Sequence, residues 1–315
     1  MPEVSVIVPC FNGEAYITAA VRSALDQSFS DIEVIVVDDG SKDRSREILT
    51  AQAKRDPRVR PVFLAENGGP AAARNHGMAI ATGKWITLLD SDDLYHPDRV
   101  ARLLEVAEAR DADVVADNQT LRDIGDSTRT SAAFDYVKAG EVLTVDKAFF
   151  FDHIWEEGGQ YPMGLLKPMF RRSFLQDNNI RYDPRHRLGE DFLFYLDCVV
   201  RDARFYMLGD QYYFYTQRPD SLSRVRSDVF IALARMCDEV VETRRALLDA
   251  YSIGKLNDRR DGIQRLVRRL QIREIRDLRR QGKLGALLEY GMKNPQAGFE
   301  LIKSAFLWRM GKRAS

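Results

Sequence analysis

Cysteine is scarce, at three residues in 315. Cys10, Cys198 and Cys237 are too few and too far apart for a disulfide framework or a zinc site, which predicts a reducing compartment. Long apolar runs are missing as well: none approaches the roughly eighteen residues that a membrane-crossing helix needs, and the N-terminus has no basic segment followed by an apolar one. Net charge is absent, since 47 basic and 47 acidic residues cancel, so no overall field favours nucleic acid and no nucleic-acid partner is expected. These absences predict a cytoplasmic protein, with peripheral attachment at the inner face of the cell membrane left open.

What is present is enough apolar sequence, 45% hydrophobic and 10% aromatic, to bury a full core. Val4 to Pro9, V-S-V-I-V-P, is β-branched and reads as a buried strand. After a turn at Cys10 to Glu14 an amphipathic helix places Ile17, Val21, Ala24 and Leu25 on one face. Ile32 to Val37 is a second strand ending in Asp38-Asp39-Gly40-Ser41, where Ser41 or Asp43 can cap the next helix. Val59 to Leu64 is a third strand, and Asn67-Gly68-Gly69-Pro70 turns into a helix of small residues. Alternating strands and helices in this order predict an open, mostly parallel sheet with right-handed crossovers. Ligands of such sheets sit outside the carboxyl ends of the strands. The rule gathers Pro9 to Asn12, Asp38-Asp39 and Asp90 to Asp92 along one rim.

The fourth strand carries the sharpest signal. Trp85 to Leu89 is apolar and then meets Asp90, Asp92 and Asp93 in W-I-T-L-L-D-S-D-D-L-Y-H-P. Carboxylates so crowded repel one another and are costly to bury unless a cation compensates them. Hard divalent ions take oxygen ligands, and Mg²⁺ keeps waters and substrate phosphates in its shell. A carboxylate-held Mn²⁺ or Mg²⁺ meeting a phosphorylated ligand is one reading; Asp93 capping the following helix beside two solvated acids is the other. Nicotinamide binding is disfavoured, because the first strand leads into P-C-F-N-G-E and not G-x-G-x-x-G.

Four stretches in order, V-S-V-I-V-P-C-F-N, V-V-D-D-G-S-K-D-R-S, N-G-G-P-A-A-A-R-N and L-L-D-S-D-D-L-Y-H-P-D-R, resemble the donor half of family 2 glycosyltransferases. The resemblance implies an α/β GT-A fold, a Rossmann-like, mostly parallel sheet with flanking helices, here followed by a C-terminal helical extension. It implies a catalytic domain over 1–223, with a nucleotide-sugar-binding half at 1–118 and an acceptor half at 119–223, and a basic helical extension at 224–315. Carried over by position, it sets Pro9 and Phe11 against the base of a nucleotide sugar and Asp39 on its imide edge. Arg74 approaches the nucleotide, Asp90 lies near the ribose, and Asp92 binds the metal. Phe11 as plain core, and Arg74 merely paired with Asp90 or Asp39, remain open.

Further along, Asp113 to Asp117 reads as a short strand whose Asp117-Asn118 can face the sugar. The stretch from Gln119 to Asp135 reads as loop and hairpin. Phe149 to Phe151 and Trp155 read as packing. Met163 to Phe174 resembles the family segment in which a strand passes behind the acceptor site, with Lys167 and Arg171 open to diphosphate, acceptor or solvent. Leu188-Gly189-Glu190-Asp191 opens a helix whose positive end favours carboxylates. On spacing alone it is an ordinary cap; the resemblance makes Asp191 the general base of an inverting transfer and Glu190 its support in acceptor binding. Phe205 to Leu208 and Gln211 to Thr216 read as two strands, followed by Q-R-P-D-S-L-S, which resembles the loop that closes over the diphosphate through Arg218 and Ser221.

Beyond Ser223 the pattern is helical and carries roughly ten excess positive charges. Arginine-rich I-Q-R-L-V-R-R-L-Q-I-R-E-I-R-D-L-R-R, and a tail containing Trp308, can pack on the catalytic domain, pair with a second subunit, or lie on an anionic leaflet. The resemblance implies a metal-dependent transfer from a nucleotide diphospho-sugar, UDP-sugar by family habit, to a glycan or lipid-linked acceptor in exopolysaccharide or surface-glycan synthesis. Q-x-x-R-W and membrane spans are not found, which disfavours processive synthesis. A sugar nucleotidyltransferase and a non-catalytic nucleotide-sugar scaffold are the alternatives.

Overall fold

The computed structural model describes residues 1–125, 129–155, 162–218 and 227–293. The described residues separate into two compact units, one within 1–218 together with 246–252, the other within 227–245 and 253–293. The first unit is built on a ten-stranded sheet. Its strands are β1 (Val4–Cys10), β2 (Ile32–Asp38), β3 (Val59–Phe63), β4 (Trp85–Leu88), β5 (Leu94–Tyr95), β6 (Val114–Asp123), β7 (Thr130–Ala132), β8 (Val142–Thr144), β9 (Met169–Arg171) and β10 (Phe205–Gln217). Its helices are α1 (Ile17–Leu25), α2 (Ser45–Arg55), α3 (Pro70–Ile80), α4 (Arg99–Ala109), α5 (Lys147–Asp152), α6 (Arg172–Asp177) and α7 (Glu190–Val199).

The strand order is β3-β2-β1-β4-β9-β6-β10-β5, with β7 on β6 and β8 on β10. From β3 to β4 every pairing is parallel, as alternating strands and helices require. Past β4 the expectation of a mostly parallel sheet gives way. β9 runs antiparallel to both neighbours, β4 and β6, and β10 is parallel to β6 but antiparallel to β5 and β8. Three-residue strands such as β9 carry too short a pattern to announce their direction. The two runs expected at Phe205 and Gln211 are one strand, bulged between Leu208 and Tyr213, so that it can pair along its length with β6. Asp113 to Asp117 likewise extends to Asp123, and the hairpin expected after it is β6 with β7.

The core follows from the pattern. β2 is buried at every position, and Ile17, Ala20, Val21 and Ala24 of α1 pack in the same cluster as Val4, Val6, Val34 and Trp85. Helix α3 sits close on β1 and β2 because it is made of small residues. A Cβ on Gly77 would lie 2.6 Å from the Ile7 side chain, so the helix that carries Arg74 is placed by that glycine. The loop after β1 is laced to the loop after β2: the Asn12 amide donates to Ser41 Oγ, the Gly13 amide to Ser45 Oγ, and the Lys42 amide to Asn12 Oδ1, at 2.8–2.9 Å. Ser41 therefore bridges loops and does not cap α2, while Asp43 accepts from the Ser45 amide at 3.0 Å.

At the opposite end of the parallel strands Glu33 is buried and accepts from Ser5 Oγ at 2.6 Å, from the Thr82 amide at 2.8 Å and from Thr82 Oγ1 at 2.7 Å, with Arg60 paired to its other oxygen. Burial opposes its ionisation, but these hydrogen bonds more than offset it and bring the carboxyl down to about 2. A carboxyl lowered in the folded state stabilises above its ordinary value near 4.3, and that stability fades as the pH falls toward the lowered value. Glu33→Gln is therefore expected to cost about 3 kcal/mol at pH 7, a gap that narrows at pH 3. Urea melts of both proteins at the two pH values check this, and an equal gap at both would contradict it.

The second unit contains α8 (Ser227–Thr243), most of α9 (Ala250–Arg280) and α10 (Leu284–Lys293). Leu256, Ile263, Val267 and Ile275 of α9 are buried, while Arg265, Arg268, Arg269, Arg273 and Arg276 lie on its exposed side. Ile275 packs with Leu278 and Tyr290. Among the described residues no helix is long and apolar enough to cross a membrane. Ser221 and the tail with Trp308 lie outside the described residues.

Candidate functional site

Parallel pairing of β2, β1 and β4 brings their carboxyl ends to one rim, with Cys10 opposite Asp38 and Ile7 opposite Leu88. Pro9 lies half-buried in β1, opposite Val37. Phe11, just past the strand, is 47% exposed, which removes the reading of it as plain core. Asp39 is buried and aimed at the turn before α3: its Oδ1 accepts from the Gly68 amide at 2.9 Å and its Oδ2 from the Gly69 amide at 2.8 Å. Each carboxylate oxygen keeps a second lone pair for another donor. The neighbouring Asp38 points inward and pairs with Arg46 at 2.7 Å.

Arg74, on α3, is the hub. Its Nη2 reaches Asp90 Oδ1 at 2.8 Å, and its Nη1 reaches Glu190 Oε1 at 2.8 Å and Asp191 Oδ1 at 3.3 Å. It pairs with Asp90, as one reading allowed, whereas Asp39 is held by the Gly68 and Gly69 amides. Arg74 Nε is buried with no hydrogen-bond partner among the described residues. Lys167 closes the ring, with Nζ 3.1 Å from Asp90 Oδ2 and 2.6 Å from Asp191 Oδ2. Tyr182 donates its hydroxyl to Asp191 Oδ1 at 3.0 Å, lies under the Arg74 guanidinium, and stacks on Phe194. Gly189, at φ +75°, caps α7 in the left-handed region that glycine adopts freely, and this turn points Glu190 and Asp191 back at α3.

The ring holds three carboxylates against two cations, all with little exposure. Its electrostatics follow from that count. Burial works against the charged forms of Arg74 and Lys167, but the surrounding acids hold both protonated, well above their ordinary values. Burial likewise opposes ionisation of Asp90, yet Lys167 and Arg74 pull its carboxyl far below the usual range. Glu190 is left under-compensated: burial and the adjacent Asp191 raise it, despite Arg74.

Asp92 and Asp93 part company. Asp92 is 24% exposed at its side chain and pairs with Arg218 Nε at 3.0 Å, while burial and Asp90 raise its carboxyl. Arg218 also lies over the ring of Tyr16. Thus the residue expected to bind metal is paired with the residue expected to bind diphosphate. Asp93 is buried; it accepts from Tyr213 Oη at 2.6 Å and the Thr216 amide at 2.7 Å, so it fastens the acidic turn to β10 and caps no helix.

Three expectations are corrected. Asp117 does not face a sugar, because it is buried against Arg99 at 2.7 Å, and Asn118 is spent on both main-chain groups of Phe134. Arg171 is taken by Asp111 and the Ala112 carbonyl and lies over Trp85, which leaves it a structural role. Lys167 is not solvated. Tyr182 and Tyr213 carried no motif, and Arg99 closes the fourth quoted stretch without a role assigned to it; all three were found through their contacts.

The family model for Glycosyl transferase family 2 matches residues 5–174. The succinoglycan biosynthesis protein ExoO of Rhizobium meliloti (strain 1021) is 31% identical over 95% of this chain and 80% of its own length. ExoU of the same organism, also named for succinoglycan biosynthesis, is 32% identical over 94% of this chain and 84% of its own length. Among solved structures, S. aureus TarS residues 1–349 with UDP-GlcNAc superimposes with a TM-score of 0.63 at 23% identity, covering 82% of this chain and 72% of that one.

Proposed function

Since the chain belongs to glycosyl transferase family 2 and is a glycosyltransferase of GT-A fold, we propose that it moves a sugar from a UDP-sugar to a hydroxyl of a glycan or lipid-linked saccharide, with inversion, in the synthesis of a surface polysaccharide. The relatives named for succinoglycan biosynthesis support the pathway class, and the TarS structures with UDP and UDP-GlcNAc support the donor class. The observation that carries the reading is the meeting of the rim acid Asp90 with the Glu190-Asp191 pair on the same two cations, Arg74 and Lys167. Donor end and base end are thereby one site.

In this reading Phe11 and Pro9 flank the base, and a free lone pair of Asp39 accepts from its imide N–H. Arg74 and Asp90 lie against the nucleotide, and Arg218 leaves Asp92 for the diphosphate. Asp191 takes the proton of the acceptor hydroxyl as the oxygen attacks the anomeric carbon from the face opposite the leaving group. A new carbon–oxygen bond forms, and the bond to the diphosphate breaks with its electron pair leaving on UDP. Glu190 supports the acceptor. Asp92 fits Mn²⁺ or Mg²⁺: it is an oxygen ligand whose charge is under-compensated in the buried turn, and such ions complete their shells with water and phosphate. The chemistry that ion supplies when bound is neutralisation of the departing diphosphate.

Thermal melting with a panel of nucleotide sugars tests the proposal. A matching UDP-sugar with Mn²⁺ at a hundredfold its dissociation constant is expected to add about 2.7 kcal/mol. Asp92→Asn should lose the Mn²⁺-dependent part of that gain. If no nucleotide sugar raises the melting temperature, the proposal is wrong.

A further inference from the structure

Lys167 lies in an irregular stretch, between a short turn at Met163–Leu165 and β9, where no sheet or helix fixes the backbone. Three consecutive carbonyls of this stretch are nevertheless each received by a buried side chain. Gln119 Nε2 donates to Leu165 O at 3.0 Å, Tyr195 Oη to Leu166 O, and Arg99 Nη2 to Lys167 O. Arg99 is itself locked. It is fully buried, holds Asp117 through Nε at 3.1 Å and Nη2 at 2.7 Å, donates to Thr87 Oγ1 at 3.1 Å, and lies over the rings of Tyr95 and Tyr213. Pro168 follows Lys167 and narrows its backbone freedom further. A long, flexible lysine side chain ordinarily gives up much rotamer entropy to hold one position. Here its stem leaves a clamped backbone and its ammonium is caught between Asp90 at 3.1 Å and Asp191 at 2.6 Å.

We propose that Lys167 is the positioning residue of the transfer: anchored by Gln119, Tyr195 and Arg99, it fixes the orientation of the Asp191 carboxylate and ties it to Asp90 on the donor side. This rests on the reading of Asp191 as the base. Lys167 gives Asp191 one oxygen contact and Tyr182 the other, so the carboxylate plane is defined from two directions. Arg74 cannot substitute, because its Nη1 is shared between Glu190 and Asp191 and stands 3.3 Å from the latter. The Arg99–Asp117 pair then has a function: it sets the height of the lysine.

The experiment measures steady-state UDP release at pH 7 from the nucleotide sugar that most stabilises the wild-type protein, for Lys167→Met and Lys167→Arg. Lys167→Met is expected to keep the donor KM within about twofold while kcat at pH 7 falls roughly a hundredfold. Lys167→Arg, which keeps the charge, should recover about tenfold of the lost kcat. A raised KM with unchanged kcat would make Lys167 a diphosphate ligand and overturn the proposal, as would a fall in kcat that Lys167→Arg leaves unrecovered. Should Lys167→Met fail to fold, the pair is removed together: Lys167→Met/Asp191→Asn is expected to fold, and its failure where Asp191→Asn alone folds would make the lysine merely structural. A wild-type protein that releases UDP from no nucleotide sugar would instead overturn the functional reading, and this proposal with it.

Discussion

Asp191→Asn is expected to lower turnover by about a thousandfold at pH 7 while UDP binds within about threefold of wild type, since general-base catalysis contributes on the order of 10²–10⁴. The network around Asp191 makes this a clean substitution. Three carboxylates face two cations, so neutralising one removes the excess negative charge and does not create an orphan. Asparagine can keep its carbonyl toward Lys167, 2.6 Å away in the wild type, and offer its amide to the Tyr182 hydroxyl, which also accepts. Fold and donor site survive while the proton acceptor is lost. Steady-state UDP release and calorimetric titration with UDP separate the two quantities. Turnover within tenfold of wild type would exclude Asp191 as the base; equal loss of UDP binding would mean that the variant damaged the donor site instead.

The parallel half of the sheet could be read from the chain alone because β1 and β2 are apolar, β-branched runs, and β1, β2 and β3 are each followed by a helix of different periodicity. Val4 to Pro9, Ile32 to Val37 and Trp85 to Leu89 each end in a polar turn, and parallel pairing leaves those turns nowhere but one edge. Past β4 the logic fails for a physical reason. β9 has three residues and β5 two, lengths at which alternation means nothing, and their direction is set by which backbone edges remain unpaired. Asp117 shows the same limit for side chains: an aspartate expected at a strand end looks alike in the sequence whether it meets a ligand or, as here inside β6, a buried Arg99 eighteen residues earlier.

Within the site the acids could be found and their partners could not. D-x-D-D and the Glu190-Asp191 pair are marked by crowding of like charge, which sequence displays directly. Their compensation is tertiary: Arg74 lies 116 residues from Glu190, Lys167 24 residues from Asp191, and Tyr213 120 residues from Asp93. Charge crowding therefore pointed to a divalent ion, whereas the described residues already supply two cations to Asp90 and one to Asp92. In the proposed reading Asp92, whose side chain is 24% exposed beside Arg218, is the member of the run that would hold the metal.

Arg74→Met should be the most damaging single change to stability in this region. Removing one partner of a buried ion pair costs about 3–5 kcal/mol, because the remaining charge stays buried without compensation. Here Asp90, Glu190 and Asp191 would be left to Lys167 alone. For a unit of this size that corresponds to a melting temperature lower by roughly 10 °C. The loss should depend on pH, with a definite sign. Burial and Asp191 already raise the Glu190 carboxyl, so the folded state binds its proton more tightly than the unfolded chain does. Stability from such a group is present at low pH and is lost as the pH climbs from the ordinary carboxyl value through the raised one. Taking away Arg74 removes the cation that limits this rise, so the window extends upward. The gap between variant and wild type should then be smaller at pH 5.5 than at pH 8, and adding Glu190→Gln should close part of it at pH 8. Scanning calorimetry of the three proteins at both pH values decides the matter: a gap independent of pH, or one that Glu190→Gln leaves untouched, would show that Arg74 acts through packing on Tyr182 and not as the charge that holds the acids together.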